Sequence, residues 1–204
     1  MKKLTLLSMI FFCSIISGQT LVVTPYGLRD STDLEKTFVI INIDGKSAKE
    51  LYDIAIKYVN KNYKSTNDDI KGNIDGEYIS FNTHFVNFVT VVINLIPLSY
   101  DASHTIELNF KDGKVKYEVI NLQMNYRQTK EPFLYNGKNS ETILDKNKGI
   151  SPFLFIGKLL IPGIYTPNLR LKRPKAKAQI ENYFNTQIKS LTDALNGKSN
   201  NNNW

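Results

Sequence analysis

His84 and His104 are the two histidines of this 204-residue sequence, and Asp101 and Ser103 stand just before the second of them. An imidazole with a hydroxyl and a carboxylate supplies the residue types of a hydrolytic site. Two imidazoles with a carboxylate supply those of a metal or proton-transfer site. The spacing supports neither. Asp101, Ser103 and His104 are sequence neighbours that cannot converge on one another, and no glycine-flanked nucleophile turn is present. No acidic or histidine partner stands at ligand spacing from either ring. The plain reading is a pair of ordinary strand residues near strand ends, and a hydrolase built on the His84, Asp101 and His104 region is the alternative. No catalytic, metal-binding or cofactor-binding residue is assigned.

Other chemistry is equally sparse. Asp68 and Asp69 are acidic neighbours, but a calcium loop needs oxygen donors alternating over about a dozen residues, so these two read as solvated acids at a strand start. The one cysteine, Cys13, lies in the apolar amino-terminal run, so the rest of the chain has neither a disulfide framework nor a thiolate. Arg170, Lys172, Arg173, Lys175 and Lys177 form the densest basic cluster. They sit where a helix begins, and the positive end of its dipole makes further cations unfavourable, so the placement favours a nearby anion. Arg170, Lys172 and Arg173 are the candidate anion contact.

Two apolar stretches stand out, residues 85–98 and residues 150–165. The first is too short to span a membrane, and Pro152, Gly157, Lys158 and Pro162 interrupt the second. The patterning makes them insertions that leave one edge of a sheet. They then either extend the core or form a shared apolar patch of the kind that marks a ligand, partner or membrane contact. Phe88, Val92, Leu95, Phe153, Phe155 and Leu160 are the candidate apolar surface.

The elements that must hold these residues follow from local pattern. Residues 37–43 are β-branched and aromatic and stop at Asp44 and Gly45, a strand and its turn. Ser47 and Glu50 have the spacing of a capping box and open a helix to about Asn62, with Ala48, Leu51, Tyr52, Ala55, Tyr58 and Val59 as its apolar stripe. Asp75-Gly76 and Asp112-Gly113 are hairpin turns. They imply four strands, near residues 69–74, 77–85, 104–111 and 114–124. Residues 125–173 lack periodicity. Pro174 then starts a second helix to about Asn196, with Gly197 as its stop and Ile180, Phe184, Ile188, Leu191 and Leu195 as its stripe. The sum is an α+β domain, strand-helix-four-strand antiparallel meander-helix, with both helices on one face of the sheet.

The ends of the chain carry different information. Lys2 and Lys3, an apolar run over residues 4–16 and the small residues Ser17 and Gly18 have the order of a secretory signal, predicted to be cut between Gly18 and Gln19. Residues 19–36 read as a lead-in arm, 37–196 as a single domain and 197–204 as a disordered, asparagine-rich tail. No transmembrane span is expected in the mature chain. The net charge of +7 suits an anionic partner without selecting one.

Gly45-Lys46-Ser47-Ala48-Lys49-Glu50-Leu51-Tyr52, Asn60-Lys61-Asn62-Tyr63, Ile70-Lys71-Gly72, Asp75-Gly76-Glu77-Tyr78-Ile79, Lys111-Asp112-Gly113-Lys114 and Tyr117 together carry a resemblance. They resemble the domain of unknown function 4468 family, exported proteins of Gram-negative bacteria with a TATA-binding-protein-like fold. The likeness covers roughly residues 37–124 and, more loosely, the last helix. It brings no catalytic residues, and a shared architecture does not transmit nucleic-acid binding. The expectation is an exported, periplasmic or envelope-associated protein without cofactor or nucleic-acid partner. It would bind a lipid, a hydrophobic ligand or another envelope protein; a hydrolase and a purely structural envelope component are the other classes.

Overall fold

The computed structural model describes residues 19–63, 70–93, 95–126, 164–166 and 168–198. The expected signal, most of the stretch 125–173 and the last six residues lie outside that set, as do Asp68, Asp69, Phe153, Phe155 and Leu160. In chain order the elements are β1 (Leu21–Thr24), β2 (Gly27–Asp30), β3 (Phe38–Asn42), α1 (Ala48–Asn62), β4 (Ile70–Ile74), β5 (Tyr78–Ile93), β6 (Ile96–Lys111), β7 (Lys114–Tyr126) and α2 (Pro174–Leu195). A five-stranded antiparallel sheet has the order β3-β7-β6-β5-β4, while β1 and β2 pair with each other. The architecture is the α+β layer that the patterning predicts.

Both helices pack on one face of the large sheet, α1 over β5, β6 and β7 and α2 over β5. The capping box forms as its spacing requires. Ser47 Oγ accepts the Glu50 N–H at 3.3 Å, and the Glu50 carboxylate accepts the Ser47 N–H at 2.8 Å. Asp112 joins it by accepting the Ala48 N–H at 2.8 Å, so the β6–β7 turn also fastens the start of α1. Gly76 and Gly113 have φ of +76° and +72°, the left-handed backbone that tight hairpins demand. Leu51, Tyr52, Ala55 and Val59 from α1 and Ile180, Phe184, Ile188, Leu191 and Leu195 from α2 meet Ile79, Phe81, Ile106, Leu108, Val115 and Tyr117 of the sheet in one core.

Three expectations are corrected. Residues 85–98 are no insertion: they complete β5, turn at Leu95 and begin β6, so the two strands form one long hairpin. The period-2 signal is broken there because the pairing shifts between Phe85 and Val89, with Asn87 at φ +56° in the bulge. The shift turns Phe88 and Val89 inward together; Phe88 is 5% exposed and belongs to the core rather than to an apolar surface. The lead-in arm is a hairpin, β1–β2, docked on α2. Asn185 accepts the Leu21 N–H at 2.8 Å and donates to the Leu21 carbonyl at 3.0 Å, and Glu181 accepts the Val23 N–H at 2.8 Å. Finally, both histidines lie well within strands instead of near their ends, because β5 and β6 have 16 residues each and run well beyond the expected spans.

Candidate functional site

Strand alternation decides what the two histidines can do. Thr83 pairs with His104 and His84 pairs with Ser103 in the β5–β6 ladder, so the two rings are on opposite faces of the sheet. His104 lies on the helix face, 2% exposed, with its Nε2 2.8 Å from Thr83 Oγ1 and its ring edge-on to Phe184 at 5.1 Å. Burial pulls its imidazole down to about 4, so it is neutral at physiological pH. His84 lies on the open face with its Nδ1 3.0 Å from Ser103 Oγ. Asp101, the carboxylate that could have oriented a catalytic ring, accepts the Asn87 N–H at 2.8 Å instead. The three groups are not assembled into a relay. No group of three metal-ligating side chains gathers among the described residues.

What the structure does build around these residues is a cleft of about 950 Å3. It lies beside β5 beyond Phe81, where the pairing with the described residues of β4 stops. On the helix face its wall is aromatic. Tyr183 packs at 4.7 Å from Phe85 and 4.9 Å from Phe88 between ring centres, and Tyr63 donates its hydroxyl to Gln187 at 2.7 Å. Burial pushes the Tyr183 phenol up to about 12 and raises that of Tyr63 as well, so both remain protonated donors. On the open face the wall is made of amides and hydroxyls, with Thr105 donating to Asn82 at 2.8 Å. Sequence reading missed this cleft. Its helix-side residues are Tyr58, from the α1 stripe, with Asn62, and Tyr183 with Gln187 beside the α2 stripe, each pair at i,i+4 spacing, a signal indistinguishable from an ordinary helix face.

The apolar candidates separate. Val92 is 58% and Leu95 93% exposed at the β5–β6 turn, whereas Phe88 is buried. Leu95 holds φ at +69°, a conformation that a branched side chain adopts at a cost. Arg170 and Lys172 are exposed, Arg173 is half-buried as the residue preceding α2, and the Lys172 and Arg173 amides both donate to the Ile164 carbonyl. The two groups share one end of the molecule. The Thr90 N–H donates to Gln179 Oε1 at 3.1 Å, and further along α2 the Tyr183 ring meets Phe85 and Gln187 meets Tyr63, so α2 runs antiparallel to β5. Its first residue therefore points toward the β5–β6 turn.

The family described as a domain of unknown function (DUF4468) with TBP-like fold matches residues 38–125, the span from β3 through all but the last residue of β7. That segment is similar to DUF4468 domains. The resemblance carried by the helix cap and the two Asp-Gly turns is thereby established, as is the TBP-like α+β fold. The chain is also similar to a DUF4468 family protein from Bacteroides ovatus, with 17% identity over 81% of this chain and 88% of that one at a TM-score of 0.46. A TBP-like protein from Parabacteroides distasonis shows 14% identity over 78% and 93%, at a TM-score of 0.43. No curated protein matches the sequence. The DUF4468 description supplies a fold and no activity, so the chemistry of this chain's own surfaces has to carry the functional reading.

Proposed function

We propose that this is an exported, envelope-associated protein, cut near Gly18 and Gln19, that docks on an anionic lipid surface. The contact is made by the β5–β6 turn together with the residues that open α2. The observation that carries the reading is the Thr90–Gln179 bond, which sets the direction of α2 against β5. From Gln179 back to Pro174 is about 7 Å of helix, and from Thr90 to the turn is about 10–15 Å of strand, both in the same direction. That direction supports Arg170, Lys172 and Arg173 lying toward the end of the sheet that carries the exposed Val92 and Leu95.

Apolar side chains beside cations match a bilayer surface, where buried apolar area and attraction to anionic headgroups add. Each Lys or Arg held near such a surface contributes about 1 kcal/mol. A helix start without an acidic residue in its first turn, preceded by cations, favours an anion in the same place. Among the described residues no helix is long and apolar enough to cross a membrane.

Co-sedimentation with phosphatidylglycerol vesicles tests the reading. Wild-type protein should pellet with them and stay in solution with phosphatidylcholine vesicles. Val92→Asp with Leu95→Asp should abolish pelleting, and Arg170→Glu with Lys172→Glu should weaken it without moving the thermal midpoint. Equal partition to both vesicle types, or no pelleting with either, would sink the proposal.

A further inference from the structure

We infer that the cleft lined by β5 and the two helices is a binding site for a neutral carbohydrate. In a chain with 26 Lys and Arg and 19 Asp and Glu, none of the described residues lining this cleft is one of them. A phosphate, sulfate or carboxylate ligand would find no Lys or Arg among the described residues there. A wholly apolar ligand would strip water from side-chain amides and leave them unpaired, at a penalty that rejects it. Amides of Asn62, Asn82, Asn121, Gln123 and Gln187 remain, and each can donate and accept at once. That is the requirement of vicinal hydroxyls, which also donate and accept. Tyr58, Tyr63 and Tyr183 add flat apolar surfaces with polar tips, suited to the C–H faces of a sugar ring.

The site is organised in advance. Tyr63 and Gln187 hold each other, as do Asn82 and Thr105, so little side-chain entropy remains to be lost on binding. His104 also lines the cleft, kept neutral by burial, and its Nδ1 has no hydrogen-bond partner among the described residues. The cleft volume falls within the range of small-ligand sites. The site is independent of the lipid contact, since it uses none of the residues placed at the β5–β6 turn or at the start of α2.

The experiment is an NMR titration of the protein with cellobiose, chitobiose and maltose, and with a sulfated disaccharide and an uncharged hexapeptide. At least one neutral disaccharide should move the side-chain amide signals of Asn62, Asn82 and Gln187, while the sulfated sugar and the peptide leave them in place. Asn82→Ala and Tyr58→Ala should each weaken that binding about tenfold with the thermal midpoint unchanged, the size expected when a ligand group loses its partner. Two variants on different walls of the cleft keep the test valid if one of them perturbs folding. The inference is overturned if none of the three neutral sugars shifts these signals. It is equally overturned if the sulfated sugar or the peptide binds as well as they do.

Discussion

His104 makes the stability of the fold depend on pH. Its imidazole is held at about 4 by burial against an ordinary value of 6.5, so between those values the unfolded chain binds a proton that the native chain does not. Stability from this residue is therefore complete above pH 6.5 and is lost as the pH falls toward 4. Going from pH 7.5 to pH 5 should cost about 2 kcal/mol on its account. His104→Gln keeps a partner for Thr83 without titrating there. Urea unfolding at the two pH values should show a smaller loss in the variant by about that amount, and an identical loss would refute the assignment. Leu95 is the opposite case, a residue whose backbone opposes stability. At φ +69° a leucine is strained and a glycine is not, so Leu95→Gly should stabilise the protein by about 1 kcal/mol and raise the thermal midpoint by about 3 °C. A lowered midpoint would show that the leucine side chain holds the turn together.

At the scale of elements, α2 does more than cover the sheet. Its inner stripe faces β5, while Asn185 and Glu181 on a second flank complete the backbone hydrogen bonds of β1. Tyr165 adds a further tie by donating its hydroxyl to the Val23 carbonyl at 2.7 Å. The small β1–β2 sheet is thus held by the helix as well as by β3 of the large sheet, where Gln19 Oε1 accepts the Ile40 N–H at 2.6 Å. Asn185→Ala removes both bonds to Leu21, whose side chain is fully buried, and should cost about 2 kcal/mol. Hydrogen exchange should then rise in β1 and β2 while β6 and β7 keep their protection. A uniform loss of protection across all strands would show that the hairpin is part of the global cooperative unit.

Across the whole molecule, the opposite orientation of α2 and β5 is what brings a basic cluster and an apolar turn to one end, although they are some 75 residues apart in sequence. Contact with an anionic bilayer at that end should weaken with salt, because charges in water are screened beyond about 8 Å at physiological ionic strength. Pelleting with phosphatidylglycerol vesicles should decline as salt rises for the wild type. For Arg170→Glu with Lys172→Glu it should be weak at every salt concentration. An apolar contact acting alone would give no such dependence.

The local chemistry was legible because it needs only neighbours in the chain. Ser47 and Glu50 specify a helix start by their spacing, Asp-Gly pairs specify hairpins by their tolerance of positive φ, and the i,i+4 stripes of both helices specify which faces are buried. Those features also carried the DUF4468 resemblance and the α+β class. Tertiary structure decided everything that depends on which residues face one another. A bulge between Phe85 and Val89 interrupted the alternation of β5, which hid a strand inside an apolar run and sent Phe88 into the core. Pairing across β5 and β6 separated His84 from His104, and the cleft gathers residues from both faces of that pair of strands. None of this is written in a local window, because strand register and the end of a neighbouring strand are settled by packing between segments far apart in the chain.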